Sequence, residues 1–281
     1  MFCFCLVGQG TFTAADIATN ADGAASVFAA DMDNDGDMDI VSASYLDDTI
    51  AWYENDGAAN PSWTAADIAT SAVGAISVFA ADMDNDGDMD ILSASLNDVA
   101  IAWYENDGAA NPSWTAADIE TSVYGSRSVF AADMDNDGDM DILSASANDD
   151  AIALYENNGG ANPSWTAINI TTSVYGARSV FAADMDNDGD MDILSASEDD
   201  DVIAWYENTT AAPNTPTFTA AEIPTSTERG NSVYAADIDN DGDLDIVSAS
   251  MADDKIAWYE NDGAADPSWT EAVITTSADE A

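Results

Sequence analysis

The sequence predicts an all-β fold built of five consecutive four-stranded antiparallel units, and three observations predict it. An acidic nine-residue segment starts at Asp31, Asp82, Asp133 and Asp184, a spacing of 51 residues, and again at Asp237, 53 residues later. Each repeat contains four short apolar runs separated by turn residues at intervals of about 8–12 residues, which is typical of antiparallel sheets. No segment has the periodicity of a helix.

The second repeat shows the four predicted strands in order. The first is Ser77–Ala81, which leads into the acidic segment, and the second is Asp90–Ser95. The third is Ile101–Glu105, and the fourth is Trp114–Ile119. The turn cluster Asn-Asp-Gly-Ala-Ala-Asn-Pro-Ser separates the third strand from the fourth. Each repeat is therefore expected to fold as one four-stranded meander.

The aromatic residues indicate how these sheets pack. Trp103 and Tyr104 are adjacent in the third strand, so their side chains must lie on opposite faces of the sheet. A single four-stranded sheet cannot bury both of its faces alone. Repeats of about 50 residues with four strands each are typical of a β-propeller, in which sheets pack face to face around an axis. The sequence therefore predicts a five-repeat β-propeller whose Trp-Tyr pairs are core residues.

The boundaries of the propeller leave two alternatives open. We expect residues 1–10 to be a truncated leader or the remnant of a strand, and residues 11–281 to form a single propeller. The repeats contain five copies of strands one to three but six fourth strands, the extra one being Thr11–Thr19. Either five blades close with one spare strand, or the chain is part of a larger ring.

The charge of the chain excludes several function classes. Fifty-five Asp and Glu stand against four Lys and Arg, a formal charge of −51, and there is no His. Binding to nucleic acid or to an anionic membrane is disfavoured, because both partners are negatively charged and are bound through Lys and Arg. The sequence also has no run of about 20 apolar residues for membrane insertion. We expect no enzyme, because His and a Gly-x-Ser-x-Gly motif are missing and near-identical repeats offer no asymmetric site.

The acidic segments have the pattern of calcium-binding loops, at 31–39, 82–90, 133–141, 184–192 and 237–245. Asp at positions 1, 3 and 5 brings three carboxylates round one point, and Gly at position 6, as at Gly87, permits the sharp turn. Position 7 presents its backbone carbonyl and position 9 completes the shell. An all-oxygen site of six or more ligands suits Ca²⁺ better than Mg²⁺, zinc or copper. We therefore expect about five Ca²⁺ per chain.

The predicted metal ligands are the five aspartates of each loop. They are Asp31, Asp33, Asp35, Asp37 and Asp39; Asp82, Asp84, Asp86, Asp88 and Asp90; Asp133, Asp135, Asp137, Asp139 and Asp141; Asp184, Asp186, Asp188, Asp190 and Asp192; and Asp237, Asp239, Asp241, Asp243 and Asp245. The twelfth position is Ser, as at Ser93, where an EF-hand has a bidentate Glu. Strand sequence follows the loop, so the site is expected inside a β-hairpin.

The pattern Ser-Val-Phe-Ala-Ala-Asp-Met-Asp-Asn-Asp-Gly-Asp-Met-Asp-Ile-Leu-Ser-Ala-Ser, followed by Ile-Ala-Trp-Tyr-Glu-Asn, resembles the FG-GAP/VCBS repeat over residues 11–281. The resemblance implies the propeller of integrin alpha subunits and of many secreted proteins. It also implies that the calcium loop joins strands one and two of each blade and stiffens it. The repeat number departs from the family, because its propellers commonly have seven blades.

These features predict an extracellular or cell-surface adhesion or protein-interaction module, because secreted calcium modules commonly need about 10⁻⁴–10⁻³ M Ca²⁺. The alternative is a calcium-stabilised lectin that binds glycans on the face opposite the calcium loops. That candidate ligand face consists of Tyr124, Arg127, Tyr175, Arg178 and Arg229. A simpler interpretation of the arginines also stays open, in which each of them pairs with a neighbouring acidic loop.

Overall fold

The computed structural model describes residues 15–210, 215–223 and 227–278. These residues form twenty β-strands in five four-stranded sheets, and each strand pairs antiparallel with the next one of its sheet. Each sheet is one sequence repeat, which confirms the predicted fold class, and the sheets are called blades 1 to 5 in chain order. No helix occurs in the described ranges, and hence none that is long and apolar enough to cross a membrane.

The strand bounds follow the repeat. Blade 1 contains β1 (Ala24–Ala30), β2 (Asp39–Ser44), β3 (Thr49–Asn55) and β4 (Trp63–Ala69). Blade 2 contains β5 (Ala75–Ala81), β6 (Asp90–Ser95), β7 (Ala100–Asn106) and β8 (Trp114–Glu120). Blade 3 contains β9 (Ser126–Ala132), β10 (Asp141–Ser146), β11 (Ala151–Asn157) and β12 (Trp165–Thr171). Blade 4 contains β13 (Ala177–Ala183), β14 (Asp192–Ser197), β15 (Ile203–Asn208) and β16 (Phe218–Glu222). Blade 5 contains β17 (Gly230–Ala236), β18 (Asp245–Ser250), β19 (Lys255–Asn261) and β20 (Trp269–Thr275).

Apolar side chains of two successive sheets form each junction between blades. We call the face of a blade that meets the preceding blade its leading face, and the other its trailing face. In blade 2, Tyr104 lies on the leading face in a cluster with Trp52 of blade 1, and Trp103 lies on the trailing face in a cluster with Tyr155 of blade 3. The indole of Trp103 also meets Trp165 edge-on at 6.5 Å between ring centroids. The predicted core role of the Trp-Tyr pairs is confirmed.

The first strands of the blades lie side by side at the centre of the molecule. Phe28, Phe79, Phe130, Phe181 and Tyr234 form a continuous ladder, with ring centroids of successive residues 4.5–4.8 Å apart. Small residues surround this ladder, and residues of all five first strands line one central cavity of about 260 Å³. The small side chains of the first strand therefore allow five strands to approach a common axis.

The predicted spare strand is not observed where the structure describes it. Residues 15–19 of the expected strand Thr11–Thr19 have no strand structure, and residues 11–14, like the proposed leader or remnant at 1–10, lie outside the described ranges. Instead, Ala15–Ala18 line a cavity beside Val27 and Tyr53 on the leading face of blade 1. No preceding sheet is described there with which this segment could pair.

Candidate metal centres

Each acidic segment forms the hairpin loop between the first and second strands of its blade. In blade 2 the Asp82 carboxylate accepts hydrogen bonds from the backbone N–H groups of Asp86, at 3.1 Å, and Gly87, at 3.0 Å. The Asp86 carboxylate in turn accepts the N–H of Asp88, at 3.0 Å. Gly87 has φ +96°, where a side chain is strained, which confirms the predicted need for glycine at the sharp turn.

Three carboxylates converge in every loop. Positions 1 and 3 take part in all five clusters, the third member is position 5 or position 9, and one oxygen from each lies within 4.8 Å of the others. The clusters are Asp31, Asp33 and Asp39; Asp82, Asp84 and Asp86; Asp133, Asp135 and Asp141; Asp184, Asp186 and Asp188; and Asp237, Asp239 and Asp241. Fifteen of the 25 predicted ligands are thus brought together, three in each blade, as a metal site requires.

The position 9 aspartate also clamps the hairpin together. Asp90 is buried, and its two oxygens accept the N–H of Met83, at 3.1 Å, and the N–H of Asn106, at 2.8 Å. One carboxylate therefore joins the start of the loop to the end of the third strand. The sequence pattern indicates only a metal ligand at this position and has no signal for the clamp. Each carboxylate oxygen has two lone pairs, so the clamp leaves it able to bind an ion as well.

The position 7 side chain points away from its own cluster. The Asp88 carboxylate accepts a hydrogen bond from the Asn34 side chain of the preceding blade, at 2.6 Å, and a Cβ at Gly108 would collide with it. The same Asn-to-Asp contact joins each of the next three pairs of blades. The assignment of the position 7 backbone carbonyl as a metal ligand stays a prediction.

The asparagine at position 4 of the loops was missed at the sequence level. Asn34 and its four equivalents have φ between 57° and 64°, a left-handed conformation that Asn tolerates better than most residues. This conformation accompanies the hydrogen bond to the next loop. The signal was present in the sequence, because every loop has Asn at this position.

The electrostatics of the clusters favour a cation. Burial, followed by repulsion from Asp137, raises the pKa of Asp135 to about 6. Burial raises the pKa of the position 9 residues Asp90, Asp141 and Asp192 to about 7, although backbone N–H groups oppose the rise. Burial and mutual repulsion disfavour the charged form of these carboxylates, and a divalent cation among them stabilises that charged form. The donor set consists of oxygen alone, which fits Ca²⁺.

The candidate ligand face does not form a single patch. Arg127 and Arg178 line the central cavity, whereas Tyr124 lines a separate cleft of about 330 Å³ with Asp149 and Asn169 of blade 3. Tyr175, the equivalent of Tyr124, is exposed.

The ion-pair interpretation of the arginines is confirmed for two of them. Arg178 and Arg229 both form ion pairs with Glu198, which follows the second strand of blade 4. Within the described ranges Arg127 forms no ion pair, and its Nε is buried without a hydrogen-bond partner. Burial and the neighbouring Arg178 lower the pKa of the Arg127 guanidinium. Arg127 is thus the arginine of this face whose charge no carboxylate matches directly.

Comparison with solved structures shows a similar fold in proteins of low sequence identity. An Agrocybe aegerita lectin, whose structure describes recognition of non-reducing terminal N-acetylglucosamine, is 16% identical with a TM-score of 0.60, over 91% of this chain and 67% of the lectin. A Lactobacillus plantarum protein is 15% identical with a TM-score of 0.61, over 86% of this chain and 69% of that one. The V. cholerae biofilm matrix protein Bap1 is 18% identical with a TM-score of 0.52, over 89% of this chain. The match spans only 39% of Bap1.

The family assignment comes from the repeats themselves. No curated protein shows a significant match to this sequence. The family model of the FG-GAP-like repeat matches four times, at residues 31–93, 82–144, 139–195 and 184–248. These matches overlap and together cover most of the chain, and each one starts in or at a loop whose carboxylates converge. The chain therefore belongs to the FG-GAP-like repeat family.

Proposed function

We propose that this protein is a calcium-binding β-propeller that acts as an extracellular adhesion or protein-interaction module. The observation that carries the proposal is the convergence of three carboxylates in every one of the five blades. A single acidic turn occurs often without an ion, but five equivalent clusters in a chain of charge −51 need a common counter-charge. Five Ca²⁺ supply ten positive charges at the points where carboxylates crowd.

The role of the ion follows from the groups around it. Positions 1, 3 and 5 offer carboxylates, position 7 offers its carbonyl, and position 9 joins the loop to the third strand. An ion held by these groups links the three inner strands of a blade at one end. The Asn-to-Asp contacts extend that link to the next blade. Calcium in this arrangement stabilises the blades without taking part in a reaction.

The proposed location follows from the calcium affinity expected of these loops. Loops of this type in secreted modules commonly bind Ca²⁺ at about 10⁻⁴–10⁻³ M, far above the cytosolic concentration. The proposed sites fill only in calcium-rich surroundings, so we propose an extracellular or cell-surface location. Calorimetry of calcium binding measures the affinity directly, and micromolar or tighter binding would remove the reason for this location.

The test of the metal sites is the number of calcium ions bound per chain, measured by equilibrium dialysis with elemental analysis. We expect about five ions for the unmodified chain and about four for Asp84→Ala, because Asp84 belongs to only one cluster and Ala has no side-chain oxygen. The matched control is Asp118→Ala, which removes the same charge from an exposed position of β8 and keeps all five ions. Absence of bound calcium at millimolar concentration, or equal stoichiometry in the two variants, contradicts the proposal.

A second candidate function is glycan binding, and a specific observation favours it. The cleft that contains Tyr124 combines an exposed aromatic ring with Asp149, Tyr155 and Asn169, and polar groups beside aromatic rings suit a sugar. A similar fold in the Agrocybe aegerita lectin supports a sugar-binding propeller. The candidate partner is therefore a protein or a glycan, and we propose the cleft between blades 2 and 3 as the glycan site.

A glycan array with and without EGTA separates the two candidates. Retention of one glycan class in calcium, with loss in EGTA, supports the lectin, and absence of any glycan signal favours the protein partner. For a glycan that binds, Tyr124→Ala tests the cleft. The double change Tyr175→Ala and Arg178→Ala tests the rest of the candidate ligand face, with Tyr234→Ala as the control because Tyr234 is equally exposed. Unaltered binding in the double variant excludes that part of the face.

A further inference from the structure

The lining of the central cavity differs in composition from the rest of this acidic chain. It consists of the second and third residues of all five first strands, ten residues in all, and none of them is Asp or Glu. Fifty-five of the 281 residues are acidic, so an average set of ten contains about two. Two of the four basic residues, Arg127 and Arg178, lie in this lining instead. The cavity therefore concentrates positive charge in a chain whose formal charge is −51.

Hydroxyl groups from every blade surround the two arginines. The third residue of each first strand is a serine, and these serines are Ser26, Ser77, Ser128, Ser179 and Ser232. The Oγ atoms of the first four accept the backbone N–H of a valine in the next blade at 3.3 Å, as Ser77 does from Val129. These four hydroxyls donate to no group in the described ranges. Each O–H is therefore available to donate to a group inside the cavity.

Arg127 is the arginine of this cavity that lacks a partner in the described part of the chain. Its Nε is buried and donates to no group, whereas Arg178 donates to Glu198 through Nε and Nη2. Glu198 already pairs with both Arg178 and Arg229, so it does not neutralise Arg127. Burial and the nearby Arg178 lower the pKa of the Arg127 guanidinium, although Tyr45 and Asp199 oppose that effect. A cationic group in these surroundings costs stability until an acceptor meets it.

The fold does not require an arginine at this position. Arg127 is the second residue of its first strand, and its equivalents include Ala25, Ile76 and Asn231. The second residue is the extra residue of a β-bulge in each of these blades, so the strand forms with all four side chains. Bulges commonly re-aim a side chain beside a functional site. The guanidinium of Arg127 therefore contributes to the chemistry of the cavity rather than to the strand.

We propose that the central cavity binds one small oxyanion, a carboxylate or a sulfate, through the Arg127 guanidinium and the serine hydroxyls. A guanidinium donates to two oxygens of such an anion at once, and the hydroxyls donate to its remaining lone pairs. A cavity of about 260 Å³ has room for an ion of a few heavy atoms. The Arg178 side chain in the same lining is 18% exposed, which gives a small ion access from solvent.

The oxyanion site is separate from the calcium loops. The cavity is lined by the starts of the first strands, whereas the loops follow their ends, about five residues or roughly 16 Å further along the chain. The proposal therefore goes beyond calcium binding and does not depend on it. The negative charge of the chain repels a free anion at long range, but physiological salt screens charges beyond about 8 Å. The donors inside the cavity then decide whether the anion stays.

Isothermal titration calorimetry with sodium sulfate, and separately with sodium acetate, tests the site. The folded chain is kept in one calcium buffer, and sodium chloride holds the ionic strength constant so that screening does not change. We expect saturable binding of one ion per chain, and the tighter of the two ions shows whether the cavity prefers a tetrahedral or a planar anion. Absence of saturable binding of both ions at tens of millimolar overturns the proposal.

Two variants distinguish the proposed site from general attraction to positive charge. Arg127→Ile gives blade 3 the residue that blade 2 has at Ile76, and Arg229→Gly gives blade 5 the equivalent of Gly176. Each variant loses one positive charge, but only Arg127→Ile loses a donor of the cavity. We expect Arg127→Ile to bind about tenfold more weakly or worse, because one hydrogen bond to a charged group is typically worth that factor. Arg229→Gly should lose much less, and equal losses overturn the proposal.

Thermal melts without the oxyanion separate a binding role of Arg127 from a structural one. Arg127→Ile should melt no lower than the unmodified chain, because among the described residues Arg127 has no hydrogen bond or ion pair to lose. The bound oxyanion should raise the melting temperature of the unmodified chain and leave that of Arg127→Ile unchanged. A lower melting temperature of Arg127→Ile in sodium chloride alone assigns the side chain to the stability of the fold and overturns the proposal.

Discussion

The side chain of Asn106 provides a direct measure of how strongly adjacent blades hold each other. Its Nδ2 donates to the Met32 carbonyl of blade 1 at 2.8 Å and to the Met89 carbonyl of its own blade at 3.0 Å. Its Oδ1 accepts the Gly108 N–H at 3.0 Å. Asn106→Ala removes all three bonds from a buried site. Asn55→Ala is the matched control, because among the described residues the Asn55 side chain makes only the two equivalent bonds within blade 1.

The difference between the two variants isolates one bond between blades. A buried carbonyl left without its donor costs about 1–3 kcal/mol, so Asn106→Ala should lower the free energy of unfolding by that much more than Asn55→Ala. For a chain of this size each kcal/mol shifts the melting temperature by about 2–4 °C. Both variants are melted in the same calcium buffer at the same protein concentration. Equal losses in the two variants would refute the assignment of the bond to blade cohesion.

Three further predictions follow from the loops and turns. Chelation with EGTA should lower the melting temperature sharply, since it leaves clustered carboxylates without a counter-charge, and an unchanged melt contradicts a stabilising role for the ion. In EGTA the free energy of unfolding should fall as pH rises from about 5 to 7.5, because Asp90, Asp141 and Asp192, with pKa about 7, hold protons that the unfolded chain releases near pH 4; a rise of stability over this range, followed by circular dichroism, argues against their burial. Gly108→Ala should be more destabilising than Gly87→Ala in thermal melts, because both have positive φ but only a Cβ at Gly108 meets a neighbouring side chain, and the opposite order contradicts the packing of that turn.

Much of the fold could be predicted from the sequence because every repeat has the same order of apolar runs and turn residues. The second and fourth strands of blade 2 begin where the sequence predicts, at Asp90 and Trp114. The first and third begin two residues and one residue earlier than predicted, because the strand pairing continues back to Ala75 and Ala100, which both lie opposite Ser95. Adjacent Trp and Tyr in a strand require two covered faces, so the packing of sheet on sheet was also predictable.

The site was predictable in its residue types but not in the division of their roles. Spacing alone predicts that three carboxylates of each loop meet round one point, yet it cannot show that Asp90 is buried and accepts hydrogen bonds from two backbone N–H groups. That role depends on Asn106, which lies 16 residues away in sequence and reaches the loop only through strand pairing. The contact from Asn34 to Asp88 crosses between blades, so no single repeat contains it. Both missed contacts join residues that are distant in sequence, within one blade in the first case and between two blades in the second.

The near-identity of the repeats has a consequence for how the chain reaches its native state. Residues 77–95, 128–146 and 179–197 are identical, so a first strand can form the same hydrogen bonds with a second strand one repeat away. Native pairing closes a loop of 8 residues, and pairing with the second strand of the next repeat closes one of roughly 60, which costs only about 2 kcal/mol more in chain entropy. Refolding of the whole chain at once should therefore populate strand-exchanged forms, whereas synthesis from the amino terminus offers each first strand its own partner before the second strands of later repeats exist.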